Sequence, residues 1–375
     1  MKIAIVTPYY YPHLGGVTEH VYALYKHFKN NGLDVKIITS SFSSKDTSPN
    51  ENDVIRIGKA ISIYVNGSFG KITLPFFIVK KIKSVLEKEQ FDIIHFHEPL
   101  VPTLPLTVLK YSKSCNIGTF HAYSKKNIAY KIFQSKMQKY YDKLDGKIMV
   151  SQAAGNFTSK YFKENYQIIP NGIDTCNFNA EISQIKEFKD NKLNILFVGR
   201  FDPRKGLRYL LQAFNIVKKS FPNVRLLIVG KGSFQKFYKN FIDEKVKNDI
   251  HFVGFQYENL AQYYSTCDIF CSPATGRESF GIILLEAMAS SKPIVASNIP
   301  GYNEVVSDKE GLLVPPKNPK LLAESLIKLL QDKDLRIKMG NAGREKSLKY
   351  SWENISNQVL KYYQKILQQK KDIPL

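Results

Sequence analysis

No stretch of this 375-residue chain approaches the ~18–20 uninterrupted apolar positions that a membrane-crossing helix needs. The start, MKIAIVTPYYYP, reads as a strand and a proline-bearing loop, without the apolar run of a secretory leader. Cysteine is scarce. Cys115, Cys176, Cys267 and Cys271 form neither a disulfide framework nor a metal-binding spacing, and Cys267 and Cys271 flank an apolar run in TCDIFCSP, where thiols serve as small core residues in a reducing compartment. The Gly-x-Gly-x-x-Gly fingerprint of dinucleotide turns is missing. So are a basic tail and any ribbon of interleaved aromatic and basic residues, which removes the usual signs of nucleic-acid binding. These absences point to a soluble or peripheral protein.

Negative charge is in short supply as well. Against 54 Lys+Arg stand only 33 Asp+Glu, a net charge of +21. Such an excess favours an anionic partner, whether nucleic acid, an acidic lipid surface or a phosphorylated substrate. The charge is spread evenly, with a net of +11 over residues 1–170 and +10 over the rest. One stretch stands apart: seven lysines and no carboxylate lie between Glu98 and Asp142.

Apolar residues are plentiful, and the length suits two domains rather than one. Short apolar runs alternate with helix-length amphipathic segments. Strands are expected at 2–7, 35–40, 91–97, 116–121, 147–151 and 167–170; several are apolar throughout, as when both sheet faces are covered. A helix carrying Val17, Val21, Leu24 and Phe28 on one face separates the first two, which is βαβ logic and implies a parallel sheet. The pattern restarts after IIPNGID, with strands at 193–199, 224–230, 251–254, 268–272 and 293–297 and a helix at 206–220. The expectation is an α/β chain of two Rossmann-like domains, 1–170 plus 353–375 and 171–352, with the Pro-Asn-Gly turn at 170–172 as the change-over. A last amphipathic helix runs from Trp352 through Tyr363 and Ile366.

Three constellations could carry chemistry. The first strand leads through YYYPHL to Gly15-Gly16 and a helix, where backbone amides can approach an anion closely. In GRFDPRKGL (199–207), Arg200 and Lys205 follow a strand at the sheet edge where open α/β sheets bind ligands, and a guanidinium with an ammonium suits a diphosphate. In GRESFGIILLEAMA (276–289), Glu278 precedes a helix expected to begin near Ser279 as its cap. Glu286 lies eight residues on, roughly 12 Å along one element. Between the two, the amides of Phe280, Gly281 and Ile282 could hold phosphate oxygens. His97 and His121 stand at the ends of two first-domain strands, and Lys125 and Lys126 follow His121.

Taken together, PHLGGVTEHVYAL, YVNGS, FDIIHFHEP, GTFHAYSKK, IPNGID and ESFGIILLEAMA resemble, in order and spacing, the retaining glycosyltransferases of the two-domain GT-B fold (family 4 type), in particular the phosphatidylinositol mannosyltransferases. That resemblance implies two parallel-sheet domains facing a central cleft that closes on the donor, with the C-terminal helix crossing back to the first domain. It implies that Gly15, Gly16, Arg200, Lys205, Ser279 and the amides of Phe280, Gly281 and Ile282 hold a nucleotide-sugar diphosphate. Glu286 would bind the ribose and Glu278 the transferred sugar. Tyr9, Thr18, Asn66, His121 and Lys126 would line the acceptor side, His121 and Lys126 addressing an inositol phosphate. His121, Arg200, Lys205 and Glu278 are the expected catalytic set. Thr18 stands where an amide is expected, and Ala122 where a hydroxyl is.

A membrane contact is expected from TLPFFIVKKIKSVLEKE (73–89), with Phe76, Phe77, Ile78, Ile82 and Val85 beside Lys80, Lys81 and Lys83. No cofactor and no metal are expected, because no Asp-x-Asp stands beside the phosphate site. The implied reaction moves mannose from GDP-mannose to a phosphoinositol lipid, at the inner face of the cell membrane, by an otherwise cytoplasmic protein with no nucleic-acid partner. The alternatives are an N-acetylglucosaminyl- or glucosyltransferase using a UDP-sugar and another acceptor, or a basic nucleic-acid- or lipid-binding protein without catalysis.

Overall fold

The computed structural model describes residues 1–43, 46–65, 68–73, 78–124, 128–163, 165–232 and 234–372. The chain divides into two compact units, Met1–Asn171 with Trp352–Leu375, and Gly172–Ser351.

The first unit is built on strands β1 (Lys2–Val6), β2 (Asp34–Ser41), β3 (Val54–Val65), β4 (Ser68–Thr73), β5 (Ile93–His97), β6 (Cys115–Phe120), β7 (Gly146–Met149) and β8 (Gln167–Ile168). They lie in the order β4-β3-β2-β1-β5-β6-β7-β8, parallel except for the β3–β4 pair. Its helices are α1 (Gly16–Asn30), α2 (Ile78–Glu89), α3 (Leu104–Tyr111), α4 (Ile128–Ile132), α5 (Gln134–Asp142) and α6 (Gln152–Thr158). In the centre, Ile3, Ala4, Ile5 and Val6 of β1 and Ile93, Ile94 and Phe96 of β5 are fully buried. Covering both sheet faces removes these side chains from water on either side, each large one stabilising by about 1.5–3 kcal/mol.

The second unit carries β9 (Leu193–Val198), β10 (Val224–Val229), β11 (Ile250–Gly254), β12 (Ile269–Ser272), β13 (Ile294–Ser297) and β14 (Gly311–Val314), all parallel, in the order β11-β10-β9-β12-β13-β14. Helices α7 (Leu207–Ser220), α8 (Gln235–Lys239), α9 (Leu260–Thr266), α10 (Ile282–Ala289), α11 (Pro319–Gln331) and α12 (Lys333–Leu348) flank it. The chain then returns to the first unit as α13 (Trp352–Lys371). Ile355, Val359, Tyr363 and Ile366 of α13 join the core formed by Val21, Leu24 and Phe28 of α1 with Ile3 and Ile5 of β1.

Two expectations change here. The apolar side of α2 is not offered to a membrane: Ile78 and Ile82 are buried and, with Val85 and Leu86, pack into the sheet core beside Ile57 and Phe96. An amphipathic helix on a sheet satisfies its apolar face there first. Helix α10 also begins three residues later than Ser279, at Ile282. Gly281 caps it with φ +98°, a conformation that ends any helical run from 279, and a Cβ on Gly281 would lie 2.8 Å from the Tyr302 ring.

In each sheet the strand order reverses once, between β1 and β5 and between β9 and β12. Loops leaving neighbouring strands there diverge to opposite faces and open a crevice at the strand C-termini, the usual ligand position in open α/β sheets. The loops in question run from Thr7 to Gly15 and follow His97 in one unit; in the other they run from Gly199 to Gly206 and from Pro273 to Gly281.

Candidate active site

In the second unit the two crevice loops are stitched together. Thr275 N donates to Arg204 O (2.8 Å), and Gly206, at φ +75°, approaches so closely that a Cβ there would sit 1.9 Å from Pro273 O. Only glycine tolerates both that backbone and that contact. This approach brings Arg204 and Lys205 against Glu278: Arg204 Nη1 lies 2.6 Å and Lys205 Nζ 2.8 Å from the same Oε1. The Glu278 side chain is only 11% exposed, so two cations compensate one largely desolvated carboxylate. Arg200 stands farther out, its side chain 53% exposed and 3.1 Å from Asp202. Arg277, just before Glu278, holds a positive φ of 61°, a strain that concentrates at functional turns.

Glu286 lies one and a half turns into α10 and accepts a hydrogen bond from the buried Tyr264 hydroxyl at 2.7 Å. Burial, then the neighbouring carboxylate, pushes the Tyr264 hydroxyl well above its ordinary range, so it stays a donor. Phe280 points its ring into the core, leaving only its backbone for a ligand. Ser279 provides no cap to α10. The amides at the helix start belong to Gly281, Ile282 and Ile283, and they carry the positive end of the helix.

In the first unit, Gly15 precedes α1 in extended backbone, and a Cβ there would meet nothing within 4 Å. The protein's own packing therefore does not demand glycine at this position. Thr18 is buried and donates its hydroxyl to His13 O (2.8 Å), so that side chain closes the Tyr9–His13 loop. Tyr9 is half-buried, edge-on to His13. Asn66, Lys126, Phe76 and Phe77 lie outside the described residues. Lys80 is exposed, Lys81 donates to Arg56 O (2.8 Å), and Lys83 sits over the Tyr111 ring.

His121 follows β6 and lies with its Nε2 2.8 Å from His97 Nδ1. His20 of α1 packs edge-on against both rings and places Nδ1 2.9 Å from Asn171 Oδ1. Desolvation holds all three imidazoles below their ordinary value, His20 at about 4, so each is neutral near pH 7. Beneath them His95 is wedged between Thr119 Oγ1 and the Tyr363 hydroxyl, both at 2.6 Å. Glu98, at φ +55°, accepts from His121 N at 2.7 Å, and burial raises its carboxyl to about 7.

Sequence reasoning passed over Arg204, His20 and Tyr264. Arg204 stands inside the quoted PRK turn and His20 inside GGVTEHVYAL, so both were visible as residues. What was missing was the close loop approach at Gly206 and the placement of α1 over the β5 and β6 termini. Tyr264 carried no sequence signal beyond Glu286's need for a donor.

Two Rossmann-like units, with imidazoles at the switch point of one sheet and a cation-paired carboxylate at that of the other, match the two-domain architecture of GT-B glycosyltransferases. The comparisons agree. Residues 14–176 match the Glycosyltransferase Family 4 description and residues 178–346 the Glycosyl transferases group 1 description. A phosphatidyl-myo-inositol mannosyltransferase of Mycobacterium leprae is 31% identical over 98% of this chain and 97% of its own. Among solved structures, a Rickettsia africae glycosyltransferase superposes with a TM-score of 0.77 at 22% identity, covering 98% and 99% of the two chains. Anabaena HepE, solved with UDP, gives 0.78 at 17% identity, covering 97% and 100%. The chain belongs to the family-4 glycosyltransferases of the GT-B fold.

Proposed function

We propose that this glycosyltransferase moves mannose from GDP-mannose, with retention and without a metal, to a phosphoinositol-type lipid headgroup on an anionic membrane. The observation that carries the donor side is the Arg204/Lys205–Glu278 cluster beside the start of α10. Leaving-group departure develops negative charge on the diphosphate. Arg200, Arg204, Lys205 and the amides at Gly281 and Ile282 supply fixed positive potential for it. Glu278 orients the hydroxyls of the transferred sugar, and Glu286, held by Tyr264, accepts from the ribose. In a front-face reaction the departing phosphate oxygen takes the acceptor proton, so no protein nucleophile is required. On the acceptor side, neutral His121 offers a hydrogen bond to the inositol phosphate group. The 31% identity to phosphatidyl-myo-inositol mannosyltransferases supports the choice of sugar and acceptor.

Membrane docking is assigned to α4 rather than α2. Ile128, Ile132 and Phe133 are 72%, 68% and 48% exposed, beside Lys131, Lys136 and Lys139 in the carboxylate-free stretch. Exposed aliphatic and aromatic side chains among lysines suit an anionic lipid interface, here the inner face of the cell membrane. Ile128 follows His121 by seven residues, a reach of at most ~25 Å, which keeps an embedded headgroup near the acceptor residue.

The test is a donor panel of GDP-mannose, UDP-glucose and UDP-N-acetylglucosamine with phosphatidylinositol vesicles or soluble inositol phosphate, with and without EDTA. An α-linked mannolipid formed equally in EDTA is the expected product. Transfer only from a UDP-sugar, or only to the soluble acceptor, overturns the donor or acceptor assignment. A covalent sugar on Glu278 overturns the front-face route.

A further inference from the structure

Four of the chain's seven histidines gather at the switch point of the first sheet. Three of them, His20, His97 and His121, come from α1, the end of β5 and the residue after β6, and each offers a ring nitrogen within 4.8 Å of the other two. His97 and His121 face each other nitrogen to nitrogen, so one proton must serve both. The remaining nitrogen of His97, Nε2, is fully buried without a hydrogen-bonding partner. A buried polar atom left unpaired costs about 1–3 kcal/mol, and such an atom calls for an explanation.

The surroundings are those of a ligand set. His20 is anchored through Nδ1 to the side-chain oxygen of Asn171, which fixes the proton on Nδ1 and leaves Nε2 with its lone pair. Metal-binding imidazoles are held by such a carbonyl partner on the far nitrogen. Burial keeps the rings uncharged, the form that ligates. Around a tetrahedral ion with ~2.0–2.1 Å bonds, ligand nitrogens stand roughly 3.4 Å apart. The three ring nitrogens already lie within 4.8 Å of one another, so the set closes on such an ion with side-chain shifts of about an ångström.

We propose that His20, His97 and His121 form a three-imidazole site for a zinc-class divalent ion, and that an ion held there inhibits transfer by taking His121 from the acceptor. Three neutral imidazoles select zinc, cobalt, nickel or copper over magnesium or calcium, which prefer oxygen ligands. The ion is no cofactor of the reaction. The inhibitory half of the inference rests on the acceptor-side role of His121; the binding half does not.

The test uses the full chain stripped with EDTA and titrated with Co2+, then with competing Zn2+. Expected are visible d–d bands of tetrahedral intensity that saturate at one equivalent, and a rise in Tm with Zn2+ but not with Mg2+. His20→Gln and His97→Gln should each weaken Co2+ binding at least tenfold; the far-UV spectrum and melting of the metal-free variants show that they fold. Zn2+ should abolish sugar transfer reversibly, EDTA restoring it, and His20→Gln should raise the half-inhibitory Zn2+ concentration at least tenfold. Absent cobalt bands, or bands unchanged in both variants, overturn the site. Stoichiometric binding with transfer unaffected overturns the inhibition. If the chain transfers no sugar under any condition, the cobalt spectrum still decides the site, separating this failure from that of the proposed function.

Discussion

Replacing Glu278 by glutamine should strengthen the binding of free nucleoside diphosphate while reducing sugar transfer. In the present structure Arg204 and Lys205 are both spent on Oε1 of Glu278, at 2.6 and 2.8 Å. A phosphate oxygen that takes Lys205 must hang on the same ammonium as that carboxylate. Two contacts of about 2.8 Å from one tetrahedral nitrogen put the two anionic oxygens ~4.5–5 Å apart. Like charges at that separation repel by about 0.8 kcal/mol in bulk water and about 3 kcal/mol at the effective dielectric near a protein surface. The Glu278 side chain is 11% exposed and its partners 24% and 15%, so a value of about 1–2 kcal/mol is expected. Glu278→Gln removes this repulsion and frees two cations, which converts to roughly 5–30-fold tighter GDP or UDP binding. Transfer should fall at least a hundredfold, because the amide no longer accepts strongly from the sugar hydroxyls. Calorimetric titration of both nucleotides into both proteins at one ionic strength measures the first effect, and turnover of the donor measures the second. Equal or weaker nucleotide binding by the variant would refute the shared-ammonium geometry.

Other outcomes follow from the same contacts. Arg204→Ala with Lys205→Ala should abolish the rise in melting temperature produced by nucleoside diphosphates, since both cations that pair with Glu278 are then gone; a retained shift would place the diphosphate elsewhere. Tyr264→Phe removes one hydrogen bond to Glu286 and should lower urea stability by about 2 kcal/mol, the usual worth of a hydrogen bond to a charged group, with a weaker response to the ribose-bearing donor than to inorganic pyrophosphate. Ile132→Asp with Phe133→Asp should cut sedimentation with phosphatidylglycerol vesicles at least tenfold, leaving nucleotide binding in place; unchanged sedimentation would take α4 off the membrane. Gly281→Ala, at φ +98° with its Cβ 2.8 Å from Tyr302, should cost about 1–3 kcal/mol by urea denaturation.

The parallel cores were legible because their strands are apolar on both faces. KIAIVT, LNILFVG and VRLLIVG carry no alternation to mislead, and both halves show the same βαβ rhythm. The β3–β4 hairpin was passed over although VIRIGKAISIYV leads into Asn66-Gly67, a dipeptide favoured at tight hairpin turns. The start of α10 was set three residues early because ESFG reads as a cap on composition, whereas Gly281's left-handed backbone is a tertiary fact fixed by Tyr302. The inward turn of α2's apolar face was hidden for a related reason. A period of 3.6 with lysines opposite describes a helix on a bilayer and a helix on a sheet equally well, and only the neighbours of Ile78 and Ile82 tell them apart. Of the imidazole cluster, His97 and His121 were legible as neighbouring strand ends, whereas His20 lies 77 residues before His97 on a helix whose placement over the β5 and β6 termini is tertiary.

Helix α13 carries a consequence for biosynthesis. The second unit is a single uninterrupted segment, Gly172–Ser351, whereas the first is missing Tyr363, and with it the anchor of His95, until the last two dozen residues have left the ribosome. The later-encoded half can thus mature while the earlier one waits, reversing the usual amino-to-carboxyl order of domain completion. A nascent chain halted before Trp352 would leave the α1–β1 side of the sheet without Ile355, Val359, Tyr363 and Ile366, a natural client for a chaperone.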